Sequence, residues 1–406
     1  MSDIDQFYDE PDELYDDPSE FYNVGSVDPP PEQPPPNQSE ALQRQLPKAP
    51  PVAAYKVLVG GLYGGVVEEL PFSRLNYGYI RNRPGGFSGS VKRPNPKLSL
   101  QSLGKPPFSL YVERDGVILW GGIIWTLEPR TEEMQFGGEG FWSFFRKMRH
   151  RGIDDPLSTS RKLKRYNDVD TFIIVRDLID WVQSEHPDNN LGVVVDDHNA
   201  GVARDEVFRP HEWRNIGEAI EEMGDDNPGF DFPLDVGWEG DALRKRLRLY
   251  SSRARTTDIV FDTAKNCTLR SRTITANNLV RGVMSTGKGS GPGIKRQFHQ
   301  DETMTGQFPY WREVISDPDV ESLVTLDSRA IKTVNRNLRP METISLDVTP
   351  QADLPLGSWR IGDQVRVRAE DDYEDVDDFY RITAWEVEVD EAGQEVVRMD
   401  FGPIPT

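Results

Sequence analysis

Residues 110–129, LYVERDGVILWGGIIWTLEP, constrain the fold more than any other stretch of this chain. Tyr111 and Val112 begin an extended run, Arg114-Asp115-Gly116 makes a tight turn, and residues 117–125 return as a second apolar strand. Asp-Gly between alternating apolar residues marks a hairpin, because glycine tolerates the positive φ that such turns need. Gly121-Gly122 sits between Trp120 and Trp125. Two residues without side chains let a strand bulge and bend, or let another backbone come close. The reading is a barrel corner with both tryptophans in the core; packing against a neighbouring subunit is the alternative.

The surrounding pattern is also β. Short strand-like runs at 55–59, 66–70, 76–80 and 87–91 are separated by Gly60-Gly61, Gly64-Gly65, Arg83-Pro84-Gly85-Gly86 and Pro94-Asn95-Pro96. Strands at intervals of roughly ten residues with glycine turns belong to barrels or sandwiches. MQFGGEGFWSFF at 134–145 adds another Gly-Gly and an aromatic cluster. Helical period comes later. Asp170 is placed to cap a helix over 171–184, with Phe172, Val175, Leu178, Ile179 and Val182 on one face. Ile216, Ile220 and Met223 give a second helix over 213–223, and a third covers 320–334. Further strands are expected at 192–195, 244–250, 258–261, 269–283, 344–348, 362–368, 380–389 and 395–401. The fold class is mainly β with α+β insertions. The division is an arm at 1–51, a first β-barrel at 52–150, an α/β domain at 151–250, a second mixed β domain with a helix at 251–343, and a C-terminal β segment at 344–406 that completes a barrel.

Residues 1–51 differ from the rest. They hold twelve acids against Arg44 and Lys48, about −10 of the chain's −21, and eleven of its 31 prolines. Such composition buries too little apolar surface to offset its ordering entropy, so alone it is disordered or polyproline-like. Yet Phe7-Tyr8, Leu14-Tyr15 and Phe21-Tyr22 recur every seven residues with acids and proline between them. Pro11 and Pro18 exclude a coiled coil. The arm reads as an extended docking segment whose partner contacts are Phe7, Tyr8, Leu14, Tyr15, Phe21 and Tyr22; a solubilising tail is the plainer alternative.

Composition removes several function classes. No run approaches the ~18 apolar residues of a membrane span, and MSDIDQFYDE has no positive-then-apolar signal region. Neither membrane insertion nor export by a cleaved signal is expected. A single cysteine, Cys267, excludes an internal disulfide framework and a cysteine-based zinc site. A charge of −21 argues against stable nucleic-acid binding, which relies on Lys and Arg neutralising phosphates. The basic segments 146–151 and 161–165 read as a solvated loop or a counter-surface for an acidic neighbour.

The search for chemistry returns little. Residues 282–289 have phosphate-loop spacing, but Gly289 stands where a magnesium-binding Ser or Thr is required, and Gly291-Pro292-Gly293 follows where a helix should begin. A hairpin loop is the better reading. His150, His186, His198, His211 and His299 show no metal spacing, and Asp196-Asp197-His198 reads as a turn. The acidic run 371–378 lacks the central glycine and closing Glu of a calcium loop. No Gly-x-Ser-x-Gly elbow occurs, and no carboxylate pair stands out for glycoside cleavage. No catalytic, cofactor-binding or metal residue is assigned, and the chain is not read as an enzyme.

ELPFSRLNYGYIRNRPGGFSGSV at 69–91, the hairpin at 110–129, and GGEGFWSFF at 137–145 together resemble the minor tail (tail hub) proteins of long, non-contractile-tailed actinobacterial phages. The matching elements are Phe87-Ser88-Gly89, Tyr111 through Gly116 with Trp120-Gly121-Gly122, and Gly138 through Ser143. The helix at 170–184 and Gly362-Asp363-Gln364-Val365-Arg366-Val367 fall where such proteins have them. The resemblance implies tail-tube-like β-barrels in a baseplate-hub-like arrangement, ringing the tail axis as a homotrimer. It implies a virion component at the tail tip that joins the tail tube or distal tail ring to tip and receptor-binding proteins and forms the channel for genome delivery. The implied partners are the distal tail protein, the tape measure protein and other minor tail proteins. The acidic arm departs from that pattern. Two other classes stay open: a cell-wall-degrading tail enzyme, and a carbohydrate-binding module using exposed aromatics such as Trp213 or Trp311.

Overall fold

The structure is a computed structural model that describes residues 53–63, 65–98, 104–150, 164–226, 229–251, 256–317, 320–349, 354–370, 373 and 375–404. The hairpin is built from strands Phe108–Arg114 and Val117–Pro129. Asp115 and Gly116 both take positive φ, 50° and 82°, as a two-residue hairpin turn requires. The Ala54 N–H donates to Asp115 Oδ1 at 2.9 Å and pins the turn to the preceding chain.

Why the hairpin is so uniformly apolar is visible in its packing. Leu110, Val112, Trp120 and Ile124 face one buried cluster, and Tyr111, Ile118 and Ile123 face another. A strand buried on both faces reads as a continuous apolar run rather than an alternating one. Trp120 is fully buried and donates from Nε1 to the Gly78 carbonyl at 3.1 Å. Trp125 is not in that core. Its Nε1 donates to Ser143 Oγ at 3.1 Å, its ring lies 4.6 Å from Lys147 Nζ, and it is only partly buried. The reason is parity: residues 120–124 pair without a break and the two tryptophans are an odd number of positions apart, so strand alternation puts them on opposite faces. Trp125 packs against the second buried cluster. The Gly-Gly pair itself lies in regular pairing and serves close approach. A Cβ on Gly122 would stand 2.3 Å from the Glu139 carbonyl oxygen, and one on Gly121 would stand 2.9 Å from Val236.

Five further strands complete the N-terminal β block: Tyr55–Gly60, Val66–Leu70, Phe72–Ile80, Gly86–Lys92 and Glu133–Gly140. All pair antiparallel. The C-terminal block contains Thr256–Asp262, Cys267–Thr275, Met341–Val348, Gln364–Ala369, Val376–Val389 and Glu395–Gly402. The 14-residue strand Val376–Val389 joins the two blocks. Its residues 376–381 pair with Gln364–Ala369, and its residues 384–389 pair with residues 75–80. The result is a single 13-stranded sheet. This strand begins four residues earlier than the expected 380. Asp377 sits opposite Arg368 in the ladder and pairs with Arg366 at 2.6 Å, so an acid is tolerated within a strand.

Between the blocks, the described residues of 141–251 form an α/β insertion. Helix Thr171–Glu185 starts where the sequence places it, with Asp170 accepting from the Phe172 N–H at 2.9 Å. Phe172, Val175, Leu178, Ile179 and Val182 are buried. The second helix is Ile216–Asp225, later than the expected 213, because Asn215 caps it and Trp213 adopts φ 49° at the end of a preceding turn. Strands Lys164–Asp170, Ala203–Phe208 and Leu234–Glu239 lie outside the sequence expectations. The core of this insertion is continuous with the outer face of the hairpin.

A second insertion interrupts the C-terminal block. The expected strand 269–283 is broken at 276–281, where the Leu279 N–H donates to the Ala276 carbonyl in a turn. The chain then enters a separate three-stranded sheet of Arg296–Gln300, Gly282–Thr286 and Arg312–Ser316. Helix Leu323–Arg336, capped by Ser322, covers one face of it.

Replacing Gly122 with Ala is expected to lower stability by about 1–3 kcal/mol in urea denaturation, because the new methyl meets backbone that cannot yield. Gly86→Ala, which meets nothing within 4 Å, is the matched control and should leave the midpoint unchanged.

Candidate functional site: a buried junction and an open sheet face

The phosphate-loop-like segment and the Asp196 turn have structural roles. Gly282–Thr286 is a strand. The Gly287 N–H donates to the Lys295 carbonyl at 2.7 Å, and Lys288 pairs with Glu321 at 2.5 Å, so the glycine-rich segment connects two strands as a hairpin loop. Asp196 accepts from Arg248 and from the Leu249 N–H, holding a turn. Burial, helped by nearby Asp262, pushes the Cys267 thiol up to about 12, which leaves it protonated and unreactive at neutral pH. Among the described residues no group of three or more His, Cys, Asp or Glu is placed to hold a metal ion.

The most concentrated buried charge lies where three parts of the chain meet. The turn after Phe72–Ile80 supplies Arg81, Asn82 and Arg83; the α/β insertion supplies Glu221, Asp225 and Asp231; the C-terminal block supplies Arg381. Arg381, 2% exposed, pairs with Asp231 and also donates from Nε to the Gly362 carbonyl at 3.3 Å. Arg81 reaches the other Asp231 oxygen at 2.7 Å, and Arg83 reaches Asp225 at 2.7 Å. Asn82, at φ 54°, donates to the Phe230 carbonyl and accepts from the Phe232 N–H. Glu221 accepts from Trp142 Nε1 at 2.8 Å. Burial raises its pKa, against the pull of Trp142, Arg83 and Arg146. Burial likewise lowers the Arg381 pKa, opposed by Asp231. Beside these groups is a cavity of about 30 Å³ bordered by Arg83, Gly121, Trp142 and Asp231. It has room for a water molecule. The junction fixes modules to one another.

A second desolvated cation lies near the same contact. Lys245 donates to the Leu191 carbonyl at 3.0 Å with its ammonium 4.7 Å from the Phe141 ring, and burial lowers its pKa to about 8.

The open side of the three-stranded sheet is the other feature. Val283 is buried against the helix residues Ala330 and Val334, whereas Phe298 and Val314 on the opposite side are 41% and 67% exposed. Trp311, at 46%, and Phe308 pack beside it with ring centroids 5.9 Å apart. Trp213, the other candidate carbohydrate contact, is 40% exposed but stands in a different element, the turn before Ile216–Asp225. The two tryptophans are thus not brought together by sequence or by sheet. The arm residues Phe7, Tyr8, Leu14, Tyr15, Phe21 and Tyr22 lie outside the described residues. The open face escapes sequence reading because Phe298, Met284 and Val314 come from three short strands with no shared periodicity.

No protein-family model matches the chain, and no curated protein matches it in sequence. Solved structures do. A tail protein from Neisseria meningitidis superposes with a TM-score of 0.56 at 17% identity, covering 87% of this chain and 98% of its own. The 43 kDa tail protein of prophage MuSo2 from Shewanella oneidensis gives 0.56 at 12% identity, covering 86% and 98%. The prophage tail protein gp18 from Listeria monocytogenes gives 0.53 at 11% identity, covering 86% and 95%. The chain therefore has the fold of these tail proteins over nearly their whole length, mainly β with α/β insertions.

Breaking the junction has a large expected cost. Asp231→Asn leaves Arg381 buried without its counter-charge and should destabilise by about 3–5 kcal/mol in urea denaturation. The double replacement Asp231→Leu with Arg381→Met should recover most of that loss.

Lys245 gives a pH signature. Its folded pKa of about 8 lies below the unfolded value of 10.5, so between these values the unfolded chain binds more protons. This group therefore makes stability rise with pH across that window, by roughly 1 kcal/mol per pH unit. The stability difference between Lys245→Met and the parent, measured from pH 7 to 10, should shrink accordingly.

Proposed function

We propose that this protein is a structural hub subunit of a phage tail tip, assembled as a homotrimer and without enzymatic activity. The observation that carries this reading is co-extensive fold: 86–87% of the chain superposes on 95–98% of three tail proteins. The hairpin and glycine motifs that resemble actinobacterial minor tail proteins support it and favour a virion of that origin. In this reading the β blocks ring the tail axis and join the distal tail ring to tip and receptor-binding proteins. The tape measure protein and the genome pass through the ring, and an acidic wall keeps DNA from sticking by like-charge repulsion. The chain divides for this task into the arm 1–51, a first barrel at 52–150, an α/β domain at 151–250, a mixed β domain at 251–343 and a closing β segment at 344–406.

The arm contacts another tail protein through Phe7, Tyr8, Leu14, Tyr15, Phe21 and Tyr22. Light scattering of the chain with and without residues 1–51 tests both parts. A trimer mass from both proteins is the expected result and leaves the arm for hetero-contacts. A monomer from both, together with absence of the chain from purified virions, overturns the hub reading. Replacing Tyr8, Tyr15 and Tyr22 with Ser should reduce the yield of complete tails; an unchanged yield reduces the arm to a source of charge.

A further inference from the structure

We propose that the uncovered face of the 282–316 sheet is a subunit interface, which docks on the acidic C-terminal segment, residues 341–406, of a second copy of this chain. The inference rests on the homo-oligomeric reading above and names the surface that makes it.

The face is built as a contact surface. Met284 lies between Phe298 and Val314 in direct cross-strand register, giving an apolar row across all three strands. Next in line is Gly282, where a Cβ would stand 3.0 Å from both the Phe298 ring and the Tyr310 hydroxyl. The two aromatic side chains thus close over the glycine on this side of the sheet. Tyr310 lies between two guanidinium groups, Arg281 at 5.3 Å and Arg312 at 4.8 Å from its ring. The helix Leu323–Arg336 fills the other face of the sheet, and on this one Phe298 and Val314 stay exposed. Aromatic side chains and arginine around an apolar centre are the composition of energetically dominant interface residues.

Charge selects the occupant. Arg296 sits opposite Thr286 at one end of the apolar row, and Arg312 opposite Gly282 at the other. Neither makes an ion pair among the described residues. Residues 276–340 hold nine Lys and Arg against seven Asp and Glu, a net +2 in a chain of −21. Residues 341–406 hold five against seventeen, a net −12. That acidic segment also exposes apolar side chains, Phe379 at 44% and Val396 at 42%. Pairing the open face with itself across a two-fold axis would set arginine against arginine. Head-to-tail docking instead sets the arginines of this face against a segment of net negative charge on the next copy, the type of contact that builds a ring when its rotation closes.

The test uses the full chain. A photo-crosslinking p-benzoylphenylalanine at position 314 is expected to capture peptides from residues 341–406, and mixing ¹⁵N-labelled with unlabelled chains shows that the capture is between copies. Arg296→Glu with Arg312→Glu should weaken self-association about tenfold or more in light scattering while circular dichroism stays unchanged. Val314→Ser, which carries no charge, should weaken it in the same direction. Capture of the arm, of a different tail protein or of no protein overturns the assignment. Unimpaired trimers from the double arginine variant overturn it too, yet leave the hub reading standing. A parent chain that is monomeric and absent from virions removes both.

Discussion

The ladder between residues 384–389 and residues 75–80 is the interaction on which the rest of the structure depends. It sets the last long strand of the chain against the third, with every intervening segment having to leave and return. Because one edge of Val376–Val389 is divided between this contact and Gln364–Ala369, the N- and C-terminal blocks share a strand rather than merely touching. The bulge at Thr383 separates the two pairings. A one-residue slip there would turn the buried side chains of the strand to the wrong face, so the register is held by the core on both sides.

Once the ladder is made, the α/β insertion has one place to sit. Its apolar core needs the outer face of the hairpin, and Gly121 allows Val236 to reach that face. The charges at the junction reinforce the choice. Asp231 bridges Arg81 from one block and Arg381 from the other, so any other seating of the insertion would leave buried ions unpaired. Such a cluster specifies an arrangement more than it stabilises one. It accounts for several buried titratable groups at one place.

Perturbed groups such as Glu221, Lys245 and Arg381 are partnered by other parts of the chain. An uncovered apolar face carrying Phe298, Val314 and Trp311 lies, in contrast, on a small basic insertion within a strongly acidic chain. Charge of opposite sign held at different places on one chain favours ordered head-to-tail contact between copies, while like charge elsewhere discourages random association.

Sequence alone determined the local elements. Asp115-Gly116 dictated the hairpin turn, Asp170 and the spacing from Phe172 to Val182 dictated a capped helix, and glycine-punctuated runs dictated a mainly β fold; each depends on interactions within a few residues. Residues 276–281 already departed from expectation, because β-forming side chains do not reveal which sheet they will join. Strand alternation already set Trp120 and Trp125 on opposite faces. Only the tertiary structure decided that the first is fully buried and the second lies partly exposed at the margin of another core. It alone decided that Arg81, Asp231 and Arg381, up to 300 positions apart in sequence, meet in one buried cluster, and that Phe298, Met284 and Val314 align on a face left open. Long-range pairing carries no signature in the spacing of residues, because it is chosen by which faces remain to be buried after the local elements have formed.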